Sequence, residues 1–160
     1  ALEHVMHHEQ VVVTKKSIEN LLRPNQFTVA VGTTSMRTLE SLYWYGVQLL
    51  ENPESEFLVT QHDPYKKRNL PSRDEALQTI LSHMNKNKID LLTGSTSIFI
   101  YPGYEFKICN GLITNFHLPA STLILLVAAF IGDDWQKIYD EALQNDYRFL
   151  SYGDSSLLIP

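Results

Sequence analysis

The chain alternates between two patterns of apolar residues. Short runs rich in Val, Ile and aromatic residues are typical of β-strands, whereas apolar residues that recur every three or four positions are typical of amphipathic helices. The runs predict strands at residues 9–14, 27–31, 57–60, 89–92, 98–101, 106–109 and 112–116. The helical spacing predicts helices at residues 15–22, 34–50, 72–84, 119–132 and 133–146. Strands that alternate with helices favour an α/β fold, a sheet with packed helices.

Turn residues refine this pattern at three places. Gly32 separates a buried type of strand from a helix, which makes a strand–Gly–helix unit. Ser72 and Glu75 have the spacing of a capping box, in which the serine caps the helix start. Asn110-Gly111 lies between two apolar runs, and this dipeptide favours the tight turn of a β-hairpin. The sequence therefore predicts strand–Gly–helix units plus a β-hairpin.

The composition fits one folded domain. With 160 residues, of which 44% are hydrophobic, the chain can bury one sizeable core, so we expect a single α/β domain over residues 1–160. The longest apolar run, Leu123 to Ile131, is shorter than the roughly 20 residues that cross a bilayer, which predicts no membrane span. The chain opens with polar residues and lacks an initiator Met, so we expect it to be a fragment of a longer protein.

Cysteine content and charge narrow the functional classes. Cys109 is the only cysteine, which excludes an internal disulfide and a multi-cysteine metal site and fits a reducing cytoplasm. The net charge of −5 argues against a surface that binds nucleic acid everywhere. The basic segment YKKRNLPSR, residues 65–73, is a candidate for a local nucleic-acid patch. Because a charge run is more often a solvated loop, that interpretation is kept beside it.

The segment LITNFHLPASTL places Thr114, Asn115 and His117 between a predicted strand and an apolar helix. If the helix starts near Pro119, these side chains lie beside free N–H groups and the positive end of the helix dipole, where anions bind. The end of a strand in an α/β sheet is also where ligands tend to bind. The alternative is that Asn115 and His117 only cap the turn, and the sequence leaves both interpretations open.

The segment VGTTSMR presents the hydroxyls of Thr33, Thr34 and Ser35 at a second helix start, after Gly32. It is neither a P-loop nor a GxGxxG motif. A hydroxyl cap on an ordinary helix is the competing interpretation. If both helix starts face the same end of the sheet, we expect these hydroxyls and His117 to line one cleft.

The segment HVMHHE gathers His4, His7, His8 and Glu9, which raises the question of a metal site. The spacing is not HExxH, and in a strand His4 and His8 face away from His7 and Glu9. We therefore expect no metal here. A polar edge strand, or one imidazole and one carboxylate delivered to a shared site, explains the segment better.

The segment YRFLSYGD surrounds Gly153 with two tyrosines, an arginine and an aspartate. Aromatic rings together with Arg148 and Asp154 can hold a nucleobase and its ribose by stacking and hydrogen bonds. A glycine turn flanked by core aromatic residues is the alternative.

Five segments occur together in a specific order and spacing: HVMHHE, VGTTSMRTLES, IFIYPGYEFK, LITNFHLPASTL and YRFLSYGD. In this arrangement the chain resembles, along nearly its whole length, the C-terminal half of the S-adenosylmethionine:tRNA ribosyltransferase-isomerase family of queuosine biosynthesis. The resemblance implies a cytoplasmic enzyme that moves the ribosyl part of S-adenosylmethionine to the aminomethyl-deazaguanine base in the tRNA anticodon. Epoxyqueuosine forms, and adenine and methionine leave. It also implies S-adenosylmethionine as co-substrate, no metal, and an upstream part that includes a β-rich domain.

The implied reaction suggests roles for the candidate residues. A base must remove a proton beside the sulfonium, and His117 suits this task by its ordinary pKa, with Glu9 or His7 as alternatives. The helix starts and Arg37 suit a carboxylate or phosphate, and the tyrosines suit a base. The full set predicted to bind substrate is Thr33, Thr34, Ser35, Arg37, Glu40, Thr114, Asn115, Ser121, Tyr147, Arg148, Tyr152 and Asp154.

The chain departs from the family's pattern at four positions. His8 replaces a usual Ser, Ser97 and Asn110 stand where Asp is usual, and Ala120 stands where Lys is usual. Three ionisable groups are thereby lost. These changes leave a second interpretation open, a non-catalytic nucleotide- or RNA-binding paralogue with the same fold.

Overall fold

The computed structural model describes residues 5–160 and alternates strands with helices. The strands in this range are β1 (Glu9–Thr14), β2 (Val29–Val31), β3 (Leu58–Val59), β4 (Leu91–Thr96), β5 (Gly111–Asn115) and β6 (Ser155–Leu158). The helices are α1 (Lys15–Leu21), α2 (Thr33–Glu51), α3 (Arg73–Lys86), α4 (Thr122–Ile131) and α5 (Asp134–Gln144), with a 3-10 turn at Asp63–Tyr65. The predicted α/β class is confirmed.

The strands form two three-stranded sheets. In the first sheet, β4 lies between antiparallel β1 and parallel β3. In the second sheet, β5 lies between parallel β2 and antiparallel β6. Because β2 and β5 are parallel, their carboxyl ends, at Val31 and Asn115, lie at the same edge of the second sheet. This edge is where ligands bind in α/β proteins.

Helix α2 connects the two sheets. It contacts β2 and β5 of the second sheet and β3 and β4 of the first, and it packs along α3. Gly46 permits the close approach of α3, because a Cβ atom at this position would lie 2.4 Å from the carbonyl oxygen of Ala76. The C-terminal half of α2 thereby packs directly on α3.

The predicted strand at residues 98–101 is wrong. Ile98, Phe99 and Ile100 are buried, as in a core strand. The Phe99 N–H donates to the Gln61 carbonyl at 3.3 Å, but side chains serve the carbonyl groups of Ile98 and Phe99 in place of a neighbouring strand. The carbonyl of Ile98 accepts from Arg37 Nε at 3.2 Å, and the carbonyl of Phe99 accepts from the Tyr65 hydroxyl at 2.6 Å.

The predicted strand at residues 106–109 and the hairpin at Asn110-Gly111 are also wrong. The N–H groups of Lys107, Ile108 and Cys109 donate to the carboxylate of Glu40, so they are not available to a strand. The N–H groups of Asn110 and Gly111 donate to the Thr28 carbonyl at 2.7 and 3.1 Å. Strand β5 consequently pairs with β2 and β6 instead of the preceding segment.

Other boundaries differ in smaller ways. Strand β4 extends to Thr96, and α4 begins at Thr122 with Ser121 as its N-cap, three residues after Pro119. Ser72 caps α3 as predicted, because its hydroxyl accepts from the N–H of Glu75. Strand β6 was not predicted. Within residues 5–160, no helix has the combination of length and hydrophobicity needed to cross a bilayer.

Candidate active site

His117 lies in the loop between β5 and α4. Its Nε2 atom is 3.0 Å from Thr114 Oγ1, and its backbone N–H donates to the Tyr139 hydroxyl at 2.9 Å. Burial lowers the pKa of His117 below its ordinary value of 6.5. The imidazole is therefore neutral at pH 7, which is the state in which it can accept a proton.

The start of α2 lies beside this loop. Gly32 has φ 93° and ψ 150°, a backbone region that glycine adopts far more readily than other residues. Its N–H donates to the Ile113 carbonyl of β5 at 2.8 Å, which ties the turn to the strand. Within the part of the chain that the structure describes, no side-chain capping hydrogen bond forms at the N-cap of α2, Gly32. The N–H groups of the first turn, from Thr33 to Ser35, can therefore bind an anion.

One cleft of about 490 Å³ joins the two helix starts. The polar side chains that line it include the six residues Thr33, Thr34, Ser35, Thr114, Asn115 and His117. Val31, Leu118 and Leu150 form apolar parts of the wall. The volume falls within the range of about 300–1,000 Å³ that small-molecule sites occupy. The cleft lies at the carboxyl ends of two parallel strands.

Ser121 also lines this cleft. Its hydroxyl oxygen accepts from the N–H of Leu123 at 3.1 Å and so caps α4. Because a hydroxyl can accept and donate at the same time, the Ser121 proton stays available to a ligand.

The C-terminal turn closes one side of the cleft. Asn115 donates from Nδ2 to the Asp154 carbonyl and to Ser155 Oγ, both at 3.3 Å. The N–H of Leu150 donates to the Phe116 carbonyl at 2.9 Å. Asn115 therefore has a structural task in addition to its place in the cleft wall.

The other predicted residues of this turn lie beside the cleft and are not among its lining residues. The ring of Tyr147 stacks on Phe116 with centroids 5.7 Å apart. Asp154 Oδ2 accepts from the backbone N–H of Arg148 at 2.7 Å, and this hydrogen bond lowers the pKa of Asp154. Tyr152 is 97% exposed. Tyr147 therefore packs against the residue before His117, and neither tyrosine lines the cleft.

Glu9 and Arg37 form an ion pair outside the cleft. Arg37 Nη1 lies 2.6 Å from Glu9 Oε1, and burial lowers the pKa of Arg37 below its ordinary value, although the charge of Glu9 opposes this shift. His7 is exposed just before β1, and His4 lies outside the described residues. Neither Glu9 nor His7 lines the cleft with His117, which argues against either residue as the general base in this cleft.

Residues 5–160 contain no group of three or more His, Cys, Asp or Glu side chains placed to hold a metal ion.

The placement of Glu40 argues against the predicted substrate contact. Its side chain is fully buried. Its carboxylate accepts from the Tyr104 hydroxyl at 2.7 Å and from the N–H groups of Lys107, Ile108 and Cys109 at 2.8–2.9 Å. These four donors occupy both oxygens, so Glu40 holds the segment before β5 in place of a ligand.

The basic segment at residues 65–73 is largely neutralised. Three of its four cations pair with carboxylates: Lys66 with Asp63, Arg68 with Glu51, and Arg73 with Asp74. This arrangement favours a solvated, internally paired loop over a nucleic-acid patch.

Some residues of the cleft and its surroundings were not predicted from the sequence. Leu118 and Ser151 line the cleft, and both belong to segments that were singled out for their polar neighbours. Tyr139 bonds the His117 backbone from α5, 22 residues further along the chain. Tyr139 lies within the helix predicted at residues 133–146, and no local signal marked its contact with His117.

Comparisons with known proteins agree on one family. The family described as "Queuosine biosynthesis protein" matches residues 1–158. The S-adenosylmethionine:tRNA ribosyltransferase-isomerase of Thermotoga petrophila is 38% identical over 162 residues, which cover 98% of this chain and 36% of that protein. The protein of the same name from Ruegeria pomeroyi is 50% identical over 94 residues, covering 58% of this chain and 27% of that protein.

A solved structure is also similar. The crystal structure of S-adenosylmethionine tRNA ribosyltransferase from Thermotoga maritima matches with a TM-score of 0.61 and 33% identity. The match covers 94% of this chain and 40% of that one. The chain therefore spans well under half the length of these relatives.

Proposed function

Because this chain belongs to the queuosine biosynthesis protein family, we propose that the complete polypeptide transfers the ribosyl moiety of S-adenosylmethionine to the aminomethyl-deazaguanine base of tRNA. Epoxyqueuosine forms in this reaction, and adenine and methionine are released. The observation that carries the proposal is the cleft in which a neutral histidine and an uncapped helix start face the same space.

The start of α2 suits the carboxylate of the methionine part. The first-turn N–H groups carry the partial positive charge of the helix dipole, equivalent to roughly half an elementary charge. The hydroxyls of Thr33, Thr34 and Ser35 add donors at the same place. An anion bound there leaves the sulfonium and ribose extending along the cleft towards His117.

His117 suits the role of general base. A sulfonium acidifies the carbon next to it, so a neutral imidazole can take a proton from the ribose C5′ and start the loss of adenine. In the tautomer in which Nε2–H donates to Thr114 Oγ1, the Nδ1 atom is the proton acceptor. Thr114 then fixes the ring while the other nitrogen reacts.

The apolar part of the cleft suits the adenine ring. Val31, Leu118 and Leu150 expose more than half of their surface in this structure, so a flat apolar ligand would cover surface that water now contacts. We assign Tyr147, Arg148 and Tyr152, on the neighbouring turn, to the incoming tRNA base. Since the chain spans only part of its relatives, we expect the rest of the polypeptide to supply the remaining walls and most tRNA contacts.

Mass spectrometry of the complete protein tests this proposal. With S-adenosylmethionine and a tRNA that carries the aminomethyl-deazaguanine base, we expect stoichiometric release of adenine and formation of the modified nucleoside. The matched control is the same tRNA without that base, which should release no adenine. Binding of both substrates without any adenine release would contradict the proposal.

That last outcome would support the second candidate, a non-catalytic nucleotide- or RNA-binding paralogue. The observation that favours this candidate is the position of Ala120, which is exposed in the loop between His117 and α4. The cation usual in the family's pattern is missing at that place. Restoring it by Ala120→Lys would then be expected to raise turnover.

A further inference from the structure

We propose that Tyr139, which lies on α5 outside the cleft, is a positioning residue that sets the place of His117. The inference rests on the proposed function of His117 as a general base. It adds a residue that contacts neither substrate nor cleft and that acts through the histidine alone.

His117 itself makes two hydrogen bonds. The Tyr139 hydroxyl accepts from the His117 backbone N–H at 2.9 Å, and Thr114 Oγ1 contacts the imidazole Nε2 at 3.0 Å. The bond to Tyr139 holds the backbone from which the side chain projects, together with the Leu150 N–H, which donates to the Phe116 carbonyl of the same peptide group at 2.9 Å. The contact with Thr114 holds the rotation of the ring. The loop that carries His117 has no regular secondary structure, so these hydrogen bonds hold it in place of the backbone hydrogen bonds of a helix or strand.

Tyr139 is itself held firmly. It is 6% exposed, and its ring lies edge-on to Phe116, Trp135 and Phe149 with centroids 5.4, 5.9 and 5.9 Å apart. Burial raises the pKa of Tyr139, so its hydroxyl stays protonated and neutral through the physiological range. The hydroxyl is therefore an acceptor of fixed position, which is what a positioning residue requires.

A single substitution can remove the hydrogen bond between Tyr139 and His117 without changing the packing of the Tyr139 ring. Tyr139→Phe keeps the ring among its aromatic neighbours and removes only the oxygen that His117 uses. A misplacement of about 1 Å can lower a rate on the order of 10²-fold, and because Thr114 still holds the ring we expect a fall in kcat of about 10-fold. The KM for S-adenosylmethionine should change by less than about 2-fold, since the first turn of α2 is untouched.

The test compares Tyr139→Phe with Trp135→Phe in the complete protein. Trp135 contacts the same Tyr139 ring from α5 but has no hydrogen bond to His117, so its variant perturbs the aromatic packing around Tyr139 and leaves the acceptor in place. Adenine release gives kcat and KM. NMR of protein labelled with ¹³C-histidine follows the titration of His117, whose signal among the six histidines is identified by its loss in His117→Gln.

The expected result is a lower kcat and a displaced His117 titration for Tyr139→Phe, with wild-type values for Trp135→Phe. Equal effects of the two variants, or wild-type values of both quantities for Tyr139→Phe, would overturn the inference. The NMR titration needs no turnover, so it tests the placement of His117 even if the unmodified protein releases no adenine, which would refute the proposed function instead.

Discussion

Replacing Glu40 with alanine should lower the free energy of unfolding by about 3–6 kcal/mol. The three N–H groups that it serves, two of them buried and that of Lys107 partly buried, would each cost about 1–3 kcal/mol when left without an acceptor. We take the lower half of their sum, since water can enter the space that the side chain vacates. The Tyr104 hydroxyl loses its acceptor as well. A loss of this size is a large share of the 5–15 kcal/mol that stabilises a typical domain.

Glu40→Gln keeps the shape of the side chain but removes its charge and one of its two acceptor oxygens, so it separates these contributions to the free energy of unfolding. The amide keeps one oxygen but turns an NH₂ group towards donors, so we expect a loss of about 2–3 kcal/mol. Glu51→Ala is the matched control on the same helix. Glu51 forms an exposed ion pair with Arg68, and its removal should cost at most about 1 kcal/mol.

Urea unfolding of the 160-residue chain, followed by tryptophan fluorescence, measures these differences. Trp44 is a suitable probe because its Nε1 donates to the Tyr104 hydroxyl at 2.9 Å, next to Glu40. A loss below about 1 kcal/mol for Glu40→Ala would refute the reasoning, since it would mean that the buried N–H groups find other acceptors at little cost.

Three further predictions concern the cleft and the chain as a whole. Because burial lowers the pKa of His117, the acid limb of the pH profile of kcat/KM should have its midpoint below pH 6.5. The same shift makes the folded state lose stability as the pH falls through this range, and the His117→Gln variant should lose less stability over the same range. Gly32→Ala should destabilise the chain by about 1–3 kcal/mol in urea unfolding, through backbone strain alone, since a Cβ at Gly32 meets no atom within 4 Å. The 160-residue chain by itself should melt cooperatively but release no adenine from S-adenosylmethionine; release at the rate of the complete protein would contradict that expectation.

The parts of the site that could be predicted from sequence are those written in short segments. A strand, a glycine and three hydroxyl residues predicted the start of α2, and a strand followed by Thr114, Asn115 and His117 predicted the second wall. The α/β alternation then implied that both lie at one end of a sheet, since parallel strands place their carboxyl ends together. The structure has this arrangement through the pairing of β2 with β5.

The parts that could not be predicted depend on contacts between distant residues. Residues 106–109 have the composition of a strand, but Glu40, more than 60 residues earlier, accepts hydrogen bonds from the N–H groups of residues 107–109. Glu9 was an alternative candidate for the base and Arg37 a candidate for binding a carboxylate or phosphate, and in the structure the two side chains form an ion pair with each other. Such pairings depend on tertiary packing, and the local pattern of apolar residues does not predict them.

The most direct test of the account is the rate of adenine release by the His117→Ala variant of the complete protein. The account predicts a variant that folds normally, binds S-adenosylmethionine with nearly unchanged affinity, and releases adenine about 10²–10⁴-fold more slowly than the wild type. A variant that turns over at nearly the wild-type rate would contradict the account and leave His117 with a structural role only.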